Sequence, residues 1–212
     1  SFCNEWILKP YSSLLDVLKF GYRIMDSNES ENILNEFCSE YDNPRITHWD
    51  CGHYATTTGI VQKIQYGNKY NSVSEVLQNY FGYLEENKFI SYELMLLYSH
   101  QLLDENPVIA STLSKLFEII LVDEYQDTKE IQYHIISKLW NSGQGATRAL
   151  IVGDPNQTIY GGLGGYPIDI SDLENLSGLE FKRLELEQNY RSSSSIVDYF
   201  DKYKTFENVV LA

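Results

Sequence analysis

The sequence predicts an α/β protein, with an incomplete parallel sheet in the C-terminal half and helices in most of the N-terminal half. Two apolar runs at residues 118–122 and 149–152 are too short for helices and lack alternation, which is typical of buried parallel strands. A helical pattern at residues 129–140 separates them and completes a strand–helix–strand unit. A third strand is predicted at residues 181–186, followed by a serine-capped helix over about 193–203.

Apolar residues recur at helical spacing in five segments of the N-terminal half, at about residues 5–22, 31–41, 73–84, 92–103 and 106–117. Pro10 interrupts the first segment, because proline lacks the N–H that a helix interior requires. Asn106 and Pro107 suit the first turn of the last segment. Residues 42–71 lose the helical spacing, so no element is predicted there.

Composition and charge limit the classes of protein and partner. With 212 residues, 43% of them hydrophobic, the chain can bury a substantial core. No apolar run is long enough to span a membrane and the first residues lack a signal-peptide pattern, so the cytoplasm is the expected compartment. A net charge of −14 repels polyanions, although a longer protein can carry a basic groove on other segments. Because Ser1 is not a methionine, we expect this chain to be a piece of a longer protein.

Acidic side chains follow both of the first two predicted strands. Asp123 and Glu124 come directly after the first strand, and Asp154 follows the second. Ligands of open α/β sheets bind at the carboxyl ends of the strands, so these acids are candidate functional residues. Asp123 can hold Mg²⁺ through carboxylate oxygen, and Glu124 can orient or deprotonate a water molecule. In the structural alternative the pair begins a solvated turn, and Asp154 caps the loop that follows it.

Three strings in this half resemble motifs of one protein family, and they are IILVDEYQDT at 119–128, LIVGDPNQTIYG at 150–161 and EQNYRS at 187–192. In this order they resemble the Walker B segment, the following coupling segment (motif III) and the opening of the second motor domain of UvrD/Rep-type superfamily 1 DNA helicases. Ser1 and Phe2 resemble the end of that family's DNA-contacting segment Ia. The resemblance implies an incomplete RecA-like P-loop NTPase parallel sheet with an inserted, mainly α-helical subdomain.

The same resemblance implies a division of the chain into domains. Residues 1–27 and 91–180 would belong to motor domain 1A, with Walker B and motif III in the second range. Residues 28–90 would form the helical insertion 1B, which carries no readable motif. Residues 181–212 would begin motor domain 2A.

For the nucleotide site, the resemblance implies that Asp123 binds Mg²⁺ and that Glu124 activates the water that attacks ATP. Gln157 would sense the γ-phosphate, and Arg191 would contact the same phosphate as an arginine finger. Tyr190 would stack on the adenine ring. The structural alternatives are a turn-forming amide at Gln157, a surface ion pair at Arg191 and a core ring at Tyr190.

Further residues receive supporting or DNA-binding roles from the resemblance. Asp154 is a secondary candidate for nucleotide binding, and Gln126 and Asp127 would organise the site through hydrogen bonds. Ser1, Phe2 and Tyr160 would contact single-stranded DNA, where a flat ring gives affinity without sequence preference. The alternative for Tyr160 is an ordinary core position.

Two departures from the family pattern bear on function. The phosphate loop G-x-x-x-x-G-K-[ST] is absent from the 212 residues, so this chain alone is expected neither to bind ATP tightly nor to hydrolyse it. After Tyr160 the family continues with an aromatic residue, an arginine and a glycine, whereas residues 161–165 read GGLGG. A stacking ring and a basic contact with DNA are therefore missing from this loop.

These observations support two hypotheses about function. In the first, the longer protein is an ATP- and Mg²⁺-dependent helicase or translocase that moves on single-stranded DNA in repair or recombination, with possible nuclease or repair partner proteins. In the second, it is a catalytically inactive helicase-like module in a nuclease or phage-defence complex. The short insertion, the acidic charge and the altered 161–165 loop favour the second, and the three motif strings favour the first.

Overall fold

The computed structural model describes residues 1–143, 145–157, 165–186, 188 and 190–203. The chain begins with a π-helical turn at Cys3–Leu8, continued by the short helix α1 (Lys9–Tyr11). Two 3₁₀ turns follow at Ser12–Leu14 and Asp16–Leu18. The broken helix predicted over residues 5–22 therefore extends only to Tyr11, and 3₁₀ turns take the place of its second half. Pro10 stands at the start of α1, and the chain beyond it makes only tight turns.

The middle of the chain alternates helices with very short strands, in the order β1 (Arg23–Ile24), α2 (Ser27–Cys38), β2 (His53–Thr56), β3 (Gly59–Gln62), α3 (Tyr70–Glu86) and β4 (Phe89–Ile90). Asp26 and Glu29 form a capping box that starts α2 four residues before the predicted position. The antiparallel hairpin of β2 and β3 lies in the stretch where no element was predicted. The β-branched residues on either side of Gly59 were the only local sequence feature that favours strands there.

The C-terminal half contains α4 (Tyr92–Glu105), α5 (Pro107–Leu116), β5 (Ile119–Val122), α6 (Glu130–Ser142), β6 (Arg148–Ile151), α7 (Ile170–Ser177) and α8 (Ser194–Asp201). The predicted strand–helix–strand unit is confirmed, because β5 and β6 pair in parallel on either side of α6 in sequence. The strand predicted at residues 181–186 is wrong. Leu184 and Leu186 are exposed there, and that segment is irregular.

One face of the parallel pair is packed and the other is open. Ile120 and Val122 of β5 belong to a cluster with Tyr133 and Trp140 of α6, so the inner face is covered by helices. On the outer face Leu121 is 65% exposed, and Ile119, Leu150 and Val152 are also exposed. Within the described residues the two strands are therefore covered on one face only, since α6 and α7 both pack on the inner side.

A second, larger core crosses the boundaries implied for the domains. It joins Ile7 of the first turn, Leu84 of α3 and Ile131 of α6 in one cluster of buried side chains. The strands β1 and β4 pair in parallel, so the two ends of the predicted insertion at residues 28–90 lie side by side. Among the described residues, no helix combines the length and apolar character that crossing a membrane requires.

Burial of a histidine on the hairpin leads to a pH dependence of stability. Burial lowers the pKa of the His53 imidazole, and its Nδ1 lies 2.9 Å from the carbonyl oxygen of Cys51. The unfolded chain therefore binds a proton more readily than the folded chain, and stability is lost as pH falls below about 6.5.

We expect the free energy of unfolding to fall between about pH 7.5 and 5.5, and the fall to be smaller in His53→Asn. Denaturant titrations at the two pH values measure both quantities. Burial also lowers the pKa values of His100 and His134, so the variant should retain part of the effect. An unchanged pH dependence in the variant would show that His53 does not contribute.

Candidate active site at the ends of the parallel strands

The carboxyl ends of β5 and β6 lie side by side and carry the predicted acids. Backbone pairing continues past the strands, because the N–H of Val152 donates to the carbonyl of Val122 at 2.8 Å. The N–H of Tyr125 donates in turn to the carbonyl of Val152 at 3.1 Å. Asp123 and Glu124 are thereby placed on the same edge of the sheet as Asp154, as the sequence predicts.

The turn after β5 holds the two acids in an unusual backbone conformation. Glu124 has φ 50° and ψ 48°, which is the left-handed region that non-glycine residues rarely occupy. A carboxylate oxygen of Asp123 accepts the N–H of Glu124 at 2.9 Å and stabilises this turn. Such a conformation costs about 1–3 kcal/mol and is frequent at functional sites. Both acids are exposed, so a metal ion or a water molecule can reach them.

Gln126 connects the two strand ends. Its side chain is buried, with 1% of the residue exposed. The amide nitrogen donates to Oε2 of Glu124 at 2.7 Å, and the amide oxygen accepts the N–H of Asp154 at 3.1 Å. An amide is suited to this place because it both donates and accepts. Gln126 therefore orients the Glu124 carboxylate, in agreement with its predicted role in organising the site.

Asp154 continues this network to Gln157. One carboxylate oxygen accepts the N–H of Asn156 at 2.9 Å, and the other accepts the amide nitrogen of Gln157 at 3.0 Å. Asp154 thus caps the loop, as the structural alternative predicts, and also fixes the Gln157 side chain. Four residues form a connected series from one strand end to the other through their side chains and the backbone N–H of Asp154, and they are Glu124, Gln126, Asp154 and Gln157.

Gly153 is a further important position that the sequence pattern does not reveal. A Cβ atom at this position would lie 2.6 Å from Cδ1 of Tyr125 and 2.8 Å from its backbone nitrogen. It would also collide with the amide oxygen of Gln126. Glycine is therefore required where the two strand ends approach each other, and the only local signal was its place between a strand and an acid.

Carboxylate oxygen at this site can serve as one ligand of Mg²⁺. Within the described residues, no three histidine, cysteine or acidic side chains converge in a way that could hold a metal ion alone. Asp123 offers exposed carboxylate oxygen, and Mg²⁺ at phosphate sites commonly takes one or two carboxylates together with water and phosphate oxygens. The residues present fit this mode of binding.

Comparison with known proteins decides the family. The UvrD/REP helicase N-terminal domain matches residues 1–176 of the chain. The chain belongs to this helicase family. The resemblance carried by the motif strings at 119–128 and 150–161 is thereby confirmed.

Individual UvrD/REP relatives are similar over part of the chain. The ATP-dependent DNA helicase PcrA of Leuconostoc citreum is 32% identical over 127 residues, which cover 60% of this chain and 16% of that protein. DNA helicase II of Escherichia coli is 37% identical over 134 residues, or 62% of this chain and 18% of that protein. The helicase Rep of Buchnera aphidicola from Acyrthosiphon pisum is 32% identical over 141 residues, or 65% and 21%. The chain thus spans about a fifth of the length of such helicases.

The remaining nucleotide-site residues predicted from the UvrD/REP pattern lie near the C-terminal end of the described chain. Tyr190 is 90% exposed and its hydroxyl donates to the side chain of Gln188, so it is not a core ring. Arg191 is also exposed. The network from Glu124 to Gln157 is formed without Tyr190, and the roles of Tyr190 and Arg191 toward nucleotide remain predictions.

Two of the three predicted DNA-binding residues of this UvrD/REP chain lie at the start of the described chain. The hydroxyl of Ser1 donates to the sulfur of Met95 at 3.4 Å, which holds the first residue against α4. The ring of Phe2 packs edge-on against Phe117, with 5.7 Å between ring centroids, and stays partly exposed. Tyr160 lies outside the described residues. Binding of DNA by these three residues remains a prediction.

Proposed function

We propose that this chain supplies the metal-binding and water-activating half of an ATPase site in a DNA helicase or translocase that moves on single-stranded DNA. The observation that carries the proposal is the hydrogen-bonded series from Glu124 to Gln157 at the carboxyl ends of two parallel strands. Membership of the UvrD/REP family supports it, and the relatives named above are helicases, two of them described as ATP-dependent. Repair or recombination is the process that we propose for the whole protein.

In the mechanism that we propose, one of two neighbouring carboxylates binds the metal ion and the other activates water. Asp123 would hold Mg²⁺, which would neutralise charge on the phosphates of ATP. Glu124 orients the attacking water and accepts its proton, while Gln126 fixes the direction of the carboxylate. Gln157 can exchange its bond with Asp154 for one with the γ-phosphate, so the loop after it would respond to the nucleotide.

Other parts of the ATPase site would come from the rest of the protein. The chain has no phosphate loop, so we propose that it neither binds ATP tightly nor hydrolyses it alone. The exposed outer face of β5 and β6 supports this view, because parallel sheets are normally covered on both faces. Arg191 would reach the γ-phosphate and Tyr190 the adenine ring across the site. Nuclease or repair proteins are the partners that we propose, and the cytoplasm is the proposed compartment.

A second candidate function is a catalytically inactive helicase-like module in a nuclease or phage-defence complex. The net charge of −14 and the GGLGG sequence at residues 161–165 favour it, since both weaken contact with DNA. The two candidates differ in their need for phosphate contacts, because a translocating motor must hold the DNA backbone while it moves.

A titration of the full-length protein with single-stranded DNA at several salt concentrations tests the proposal. We expect log K to fall linearly with log of salt concentration, with a slope of about −0.7 for each phosphate contacted. We also expect single-stranded DNA to stimulate ATP hydrolysis. A salt-independent affinity together with absent hydrolysis would favour the inactive module instead.

A further inference from the structure

The hairpin of β2 and β3 is attached to helix α4 by one carboxylate. Glu93 lies in the first turn of α4, and its Oε2 accepts the backbone N–H of Ala55 in β2 at 2.7 Å. Ala55 is buried, so this N–H has left bulk water and depends on the carboxylate. The position of the hairpin is therefore coupled to the orientation of one acidic side chain.

The other oxygen of the same carboxylate pairs with Lys129, which follows the strand-end acids by five residues in the chain. Oε1 of Glu93 accepts from Nζ of Lys129, which also lies over the ring of Tyr92, 5.4 Å from the centroid. Only 12% of the Glu93 side chain and 18% of the Lys129 side chain are exposed. In such surroundings each charge requires the other, because neutralising one leaves the second charge buried and unpaired.

Lys129 stands where the segment that follows the strand-end acids meets the segment at Gly165 and Tyr166. It lies just beyond the turn Tyr125–Asp127 that carries Gln126, and it precedes α6. Its backbone forms an antiparallel bridge with Gly165, and the N–H of Tyr166 donates to the carbonyl of Thr128 at 2.9 Å. A movement of either segment therefore displaces Lys129, which is ion-paired with Glu93.

We propose that Glu93 is a positioning residue that couples the β2–β3 hairpin to the ATPase site, through the ion pair with Lys129. The proposal rests on the function proposed above. When nucleotide displaces the Thr128–Lys129 segment, the ion pair between Lys129 and Glu93 is altered. The Glu93 carboxylate then shifts, and its hydrogen bond with the N–H of Ala55 changes. Conversely, when the hairpin is detached from Glu93, the carboxylate no longer fixes the position of Lys129. The segment after Gln126 is then less ordered.

The test compares Glu93→Gln with Asp104→Asn in the full-length protein. Both changes neutralise a carboxylate of α4 that pairs with a lysine at or within α6, because Asp104 contacts Lys138 at 2.6 Å. We expect Glu93→Gln to lower the kcat of DNA-stimulated ATP hydrolysis about tenfold, as for other groups that orient a site, with KM for MgATP changed less than about twofold. Asp104→Asn should leave both constants within about twofold of the wild type.

A second readout follows the hairpin itself. In the wild type we expect hydrogen exchange at the amide of Ala55 to change when Mg²⁺ and a non-hydrolysable ATP analogue are added. In Glu93→Gln that nucleotide response should be lost, whereas Asp104→Asn should retain it. Lys129→Gln breaks the same pair from the other side and leaves the Ala55 contact in place, so it serves as a second variant if Glu93→Gln fails to fold. The double variant should be no slower than the slower single one.

Three outcomes would overturn the coupling, namely an unchanged kcat in Glu93→Gln, an equal loss in Asp104→Asn, or a persistent response at Ala55. Failure of the proposed function is recognised separately, by hydrolysis that survives Glu124→Gln. If Glu124→Gln abolishes hydrolysis while Glu93→Gln has no effect, the ATPase assignment stands and the coupling alone is wrong.

Discussion

Replacing Glu124 by glutamine in the full-length protein is expected to lower the kcat of ATP hydrolysis by about 10²- to 10⁴-fold, the usual contribution of a general base. An amide cannot accept the proton of the attacking water, although its oxygen can still accept the hydrogen bond from Gln126. Binding of MgATP should persist, because Asp123 is untouched. Steady-state hydrolysis and equilibrium nucleotide binding measure the two quantities.

A matched control lies at the other end of the same strand. Glu118 is exposed and immediately precedes β5, so Glu118→Gln removes the same charge from the opposite edge of the sheet. We expect this control to keep kcat within about twofold of the wild type. Equal losses in the two variants would indicate a general effect of charge, and unchanged hydrolysis in Glu124→Gln would remove the basis of the ATPase assignment.

Gly153→Ala is expected to lower both the stability and the activity of the protein. The added methyl group would meet the backbone nitrogen of Tyr125 at 2.8 Å and would also collide with the side chain of Gln126. Relieving such overpacking usually costs about 1–3 kcal/mol in the free energy of unfolding. Separating the strand ends also weakens the bond between Gln126 and the N–H of Asp154, so kcat should fall as well.

Gly82 in helix α3 provides the comparison, because a Cβ at that position meets nothing within 4 Å. Gly82→Ala should raise the free energy of unfolding by up to about 1 kcal/mol, as alanine favours a helix interior. Urea titrations of both variants measure the difference. If the Gly153→Ala protein is as stable and as active as the wild type, neither stability nor ATP hydrolysis depends on the close approach of the strand ends.

The parts of the fold that depend on local pattern were predictable. Residues 119–122 form a strand because a short apolar run rich in β-branched residues is too short for a helix and favours a strand, and Asp123 then stands at its carboxyl end. Helix α5 begins at Pro107, as the Asn106-Pro107 pair predicts. The hairpin at residues 53–62 was missed because its four-residue strands carry no alternation that distinguishes them from a loop.

The sequence by itself determined the family, the parallel strands and the two acids between β5 and α6, because strings of adjacent residues carry that information. Only the tertiary structure decided that Gln126 bridges two strand ends and that Glu93 joins the hairpin to Lys129. These contacts join residues about 28 to 38 positions apart in the chain. Local periodicity specifies which way a side chain faces along its own element, whereas the packing of the elements selects its partner.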